Sequence, residues 1–85
     1  MDKPVIVFVE LFDRDQTVIM PDGTEFRVNI DDLPTYLPAV CQQYGVRSVD
    51  IYGPTLFTSD IVKKAKETNE YTKEIEFNVR GIFRS

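Results

Sequence analysis

Glu10 and Asp50 are the two carboxylates whose placement could support chemistry. Glu10 closes the apolar run Val5–Val9, and Asp50 lies between Val49 and Ile51. If both runs are neighbouring strands and both acids face the same way, the pair offers hard oxygen ligands to a divalent cation such as magnesium. The competing use is neutralisation by Arg27 or Arg80 in a solvated cross-strand pair. Histidine is absent, which removes the usual general base near neutral pH and the commonest zinc ligand. Cys41 is the single cysteine. With no histidine to activate it, it reads as a buried, inert thiol beside Val40 on an apolar stripe. Lys63, Lys64 and Lys66 read as a solvated helix face that complements the negative end of the helix dipole. Asp22-Gly23 and Gly53-Pro54 are turn chemistry, and no Gly-rich phosphate loop is present. No catalytic, metal-binding or cofactor-binding residue is assigned.

Composition narrows the classes of function. The 85 residues are 42% hydrophobic and 28% charged, too apolar for intrinsic disorder. A chain of this length supports one core, so residues 1–85 are expected to form a single compact domain. Ten Lys plus Arg stand against fourteen Asp plus Glu, for a net charge of −4. Direct electrostatic binding to a nucleic acid is therefore disfavoured. The acids Asp13, Asp15, Asp22, Glu25, Asp31 and Asp32 gather around one hairpin. Such a cluster could mimic phosphates and make the protein an acidic inhibitor of a nucleic-acid-binding protein. A lone cysteine excludes an intrachain disulfide, and no apolar stretch reaches the roughly 18 residues needed to span a bilayer. The expected location is the cytoplasm.

These residues must be positioned by the elements that the pattern predicts. Val5–Phe12, rich in β-branched and aromatic residues, reads as a central strand. Asp13–Gln16 reads as a polar turn. Thr17–Met20 and Thr24–Ile30 read as the arms of a hairpin around Pro21-Asp22-Gly23. Leu33, Tyr36, Leu37, Val40, Cys41 and Tyr44 recur at helical spacing, and Gly45 suits a helix C′ position. Placing Thr35 at the N-cap keeps Pro38 within the first turn, where its missing amide costs nothing. Val46–Tyr52 reads as the next strand. A second helix follows, with Pro54 at its first position and Phe57, Ile61 and Ala65 as its buried line. A long last strand is predicted from Tyr71 through Val79, with Ile82 and Phe83 beyond it.

The predicted fold class is α+β: a five-stranded mixed sheet, element order β-β-β-α-β-α-β, with two helices packed on one face. This order resembles the first part of the ribonuclease H-like fold, in which the sheet runs 3-2-1-4-5. That resemblance implies helices on one side only, an open opposite face, and acids on the first and fourth strands, where Glu10 and Asp50 stand. It also implies an acid on the first helix, and Leu33–Tyr44 contains none. Leu37–Gly53, with Tyr44, Tyr52 and Gly53, resembles a pattern in small bacteriophage-encoded proteins of unassigned function. That resemblance implies a bacterial cytoplasm and an accessory or host-directed role, and it carries over no catalytic residue.

On the expected sheet, Val5, Val7, Val9 and Leu11 meet the helices. Ile6, Phe8, Glu10 and Phe12 lie on the open face with Asp50 and Tyr52, and Arg27, Asn29, Glu74, Glu76 and Asn78 form a polar rim. An apolar strip inside such a rim is the composition of a binding surface. Cover by a terminus or by the segment around Thr55 is the alternative. The resulting expectation is a non-enzymatic interaction module, a homodimer or the binder of another protein, with no membrane partner. A buried area of about 800 Å² per partner is the standard such a surface would have to meet. The alternatives are a metal-dependent nuclease-like enzyme using Glu10 and Asp50, or the acidic inhibitor.

Overall fold

The computed structural model describes residues 3–10 and 12–81. The expectations for Leu11, Ile82 and Phe83 lie outside these residues. The elements are β1 (Val5–Phe8), β2 (Asp15–Ile19), β3 (Glu25–Asn29), α1 (Leu33–Tyr44), β4 (Ser48–Gly53), α2 (Thr55–Thr68), a 3-10 helix (Glu70–Glu74) and β5 (Glu76–Gly81). The strands form one sheet in the order β3-β2-β1-β4-β5, the order and fold class anticipated above. β1 pairs antiparallel with β2 and parallel with β4. β2 and β3 are antiparallel, whereas β4 and β5 are parallel. The crossovers from β3 to β4 and from β4 to β5 step across the sheet in the same direction. Right-handed connections therefore leave α1 and α2 on the same side.

Strand parity sorts the side chains. Val5, Val7, Val9, Val18, Val28, Val49 and Ile51 are buried against Leu33, Leu37, Val40, Cys41, Ile61 and Val62 from the helices. Because β3 is an edge strand, its Phe26 stays 41% exposed although it faces the helix side. The hairpin turn forms where expected. Gly23 has φ 94°, and the Asp22 carboxylate accepts the Thr24 amide hydrogen at 2.9 Å. That bond holds the Asp22 pKa below the usual carboxylate value.

Several boundaries differ from the sequence reading. β1 stops at Phe8, and the Glu10 carbonyl accepts the Asp13 amide in a turn. β2 begins at Asp15, so Gln16 lies inside a strand and is 1% exposed. α1 begins at Leu33, not after Thr35, and Pro38 sits inside it. A mid-helix proline costs about 3 kcal/mol. Burying a leucine contributes about 1.5–3 kcal/mol, and Leu33 and Leu37 are both fully buried with Pro38 beside them, so packing outweighs the lost amide. Gly45 closes the helix with φ 68°, as expected. Pro54 precedes α2 as its N-cap residue, and Thr55 opens the helix, so no loop there reaches over the sheet. The buried stripe of α2 is Thr58, Ile61, Val62 and Ala65; Phe57, on its margin, is 42% exposed. Tyr71–Glu74, predicted as strand, is a 3-10 turn capped by the Asn69 side chain, which accepts the Tyr71 amide. Glu74 therefore lies off the sheet.

Candidate functional site: the open face of the sheet

The strand register lays out the face opposite the helices in rows. One row runs Glu25, Ile19, Ile6, Asp50, Asn78, and the next Arg27, Thr17, Phe8, Tyr52, Arg80. At the centre, the Phe8 and Tyr52 rings stack with centroids 5.3 Å apart and an interplanar angle of 22°. Phe8 is 36% exposed. Ile6, Ile19 and Tyr52 are half-buried. No described helix covers these side chains, because both helices lie on the other side.

Two pairs of polar groups around this strip are hydrogen-bonded. The Asp50 carboxylate accepts a hydrogen bond from Asn78 Nδ2 at 2.9 Å, and Arg27 Nη1 donates to Thr17 Oγ1 at 3.1 Å. Of the six residues singled out from sequence, Ile6, Phe8, Asp50 and Tyr52 meet on this face. Glu10 and Phe12 do not join them on the ladder. They lie beyond β1, and Phe12 is 93% exposed on the turn. Ile19 belongs to the strip and was missed. Its run, Thr17-Val18-Ile19-Met20, has no clean polar alternation from which to read its facing.

The carboxylate pair is separated. Asp50 is level with Ile6, and Glu10 is four residues further along the chain, about 13 Å at the rise of a strand. The stacked Phe8–Tyr52 row lies between them. Glu10 interacts instead with Asp13, whose neighbouring carboxyl group, through a shared hydrogen bond and like charge, raises the Glu10 pKa above its usual value. Among the described residues, no three His, Cys, Asp or Glu side chains gather as a metal cage. The acidic hairpin cluster is likewise divided. Asp22 and Glu25 lie at the tip, whereas Asp15 lies at the base with Asp31, which pairs with Arg14 at 3.8 Å.

The remaining candidates have settled roles. Cys41 is buried, and burial pushes its thiol pKa up to about 11. Lys63, Lys64 and Lys66 are exposed, and Lys64 pairs with Asp60 at 3.0 Å. A cleft of about 460 Å³ beside the hairpin tip, lined by Met20, Phe26, Tyr44 and Lys3 among others, had no sequence signal. No described helix is long and apolar enough to cross a membrane. Comparison with protein-family models, curated proteins and solved structures found no match.

Proposed function

We propose that this protein is a non-enzymatic interaction module that docks through the open face of its sheet. The observation that supports this reading is the apolar strip Ile19, Ile6, Phe8 and Tyr52, half-exposed at the centre of a face that neither helix covers. Its rim carries both signs of charge: Glu25, Asp50 and Glu76 against Arg27 and Arg80. An apolar centre within a mixed polar rim matches the anatomy of protein interfaces. Polarity around the strip would set which partner is accepted, because like charges placed opposite each other cost affinity.

Phe8→Asp is the direct test. A docking residue can become charged without loss of the fold, so the variant should melt cooperatively and close to the parent while losing association measured by light scattering. An unfolded variant, or one strongly destabilised at unchanged mass, would make Phe8 a core residue and end this reading.

A further inference from the structure

The arrangement of charges on the open face points to its occupant, and we infer that it is a second copy of this chain, packed face to face with its strands antiparallel to those of the first. The inference rests on the docking reading above and specifies the partner. Two copies stacked by a two-fold axis in the interface can meet in two simple ways, since a closed dimer is isologous. With the axis running across the strands, between the Ile6 row and the Phe8 row, each strand lies over its own counterpart and the two rows exchange. Ile6 then packs on the partner copy's Phe8 position, Ile19 on Thr17, Glu25 on Arg27 and Asn78 on Arg80. Asp50 meets the hydroxyl-bearing ring of Tyr52, a donor for a carboxylate that already accepts from Asn78. With the axis along the strands instead, Arg27 would lie on Arg80 and Ile19 on Asp50. That arrangement opposes like charges at both edges and buries a carboxylate against an aliphatic chain. Complementarity therefore selects the first arrangement. A tilt of about 15° in its axis gives the roughly 30° angle of aligned sheet packing, and the long arginine side chains can span the resulting offset.

The face is small. Five strands about 4.8 Å apart and four rows about 6.6 Å apart project to roughly 630 Å², below the standard of about 800 Å² per partner. The dimer should therefore dissociate on dilution and weaken with salt. The test uses the full chain with Cys41→Ala, carrying either Ile6→Cys or Phe8→Cys. Mixed and treated with a short bismaleimide, which spans the roughly 10 Å between stacked sheets, the two variants should form mainly the mixed crosslink. Glu25→Arg and Arg27→Glu should each weaken the dimer about tenfold at low salt, and the double variant should recover to within about threefold of the parent. Predominant Ile6→Cys or Phe8→Cys homodimers would overturn this arrangement while leaving a self-associating face. A chain that sediments as a monomer up to millimolar concentration would overturn the second copy as occupant. If its Phe8→Asp variant then still melts like the parent, the docking reading survives with a foreign partner; if that variant unfolds, both fail.

Discussion

Gln16 is the polar side chain on which the β1–β2 turn depends. It is 1% exposed, its Oε1 accepts the Glu10 amide hydrogen at 2.7 Å, and its Nε2 donates to the carbonyls of Glu10 and Asp13. A backbone group shut off from water without a partner costs about 1–3 kcal/mol, so Gln16→Ala, which removes the side-chain partner of the Glu10 amide and the Asp13 carbonyl, should lose about 1–3 kcal/mol. Urea denaturation should show this as a lower midpoint with an unchanged slope; a midpoint within error of the parent would mean that water replaces the side chain. Cys41 gives a pH-dependent prediction. Its folded pKa of about 11 lies above its ordinary value of 9.0 because the thiolate is poorly solvated. The folded state thus holds the proton more tightly than the unfolded chain. This contribution is fully present below pH 9 and is lost as pH rises towards 11, up to roughly 2–3 kcal/mol. Cys41→Ala should flatten the fall in stability across that interval, and an equally steep fall in the variant would assign it to Tyr36, whose hydroxyl is likewise held above its usual pKa by burial. Gln16 was misread from sequence because a glutamine beside Asp13 and Asp15 looks like solvent-facing turn. Cys41 was legible because its helical phase matches Leu37 and Val40.

At the scale of elements, β1 and β4 stay in tight contact just past the end of β1. The Val9 amide donates to the Tyr52 carbonyl at 2.7 Å, and a Cβ at Gly53 would lie 2.6 Å from the Val9 carbonyl oxygen. Gly53 also has φ 151°, which side chains rarely adopt. Gly53→Ala should therefore cost at least about 2 kcal/mol, through strain and displacement of the β1 end. Thermal unfolding would read it as a fall of roughly 8 °C or more for a domain of this size. A shift below 3 °C would show that β1 moves freely there. The sequence identified this position as turn chemistry but not the contact behind it, because close approach between strands 44 residues apart is invisible to local pattern. The helix boundary at Leu33 was misplaced for a related reason. Local rules penalise Pro38, and only the depth of the pocket that receives Leu33 and Leu37 outweighs them.

For the whole molecule, the dimensions are those of two layers: 35 × 28 × 20 Å, with a radius of gyration of 11.8 Å. One sheet and one helix layer account for the short dimension, and no described helix lies over the face bearing Phe8. That asymmetry is why Phe8→Asp should disturb association more than folding, whereas a charge at Val7, on the other side of the same strand and fully buried, should unfold the protein.

The sequence alone determined the order of the five strands and two α-helices and the parity of Ile6 and Phe8 against Val5 and Val7. These follow from periodicities of two and 3.6 residues and from turn chemistry at Gly23 and Gly45, all of which act over a few neighbours. The tertiary structure decided where β1 ends, that Gln16 turns inward, that Glu10 and Asp50 stand apart, and that Ile19 completes the apolar strip. Those outcomes depend on strand register and on which helix covers which row, and register is settled by contacts between segments distant in the chain.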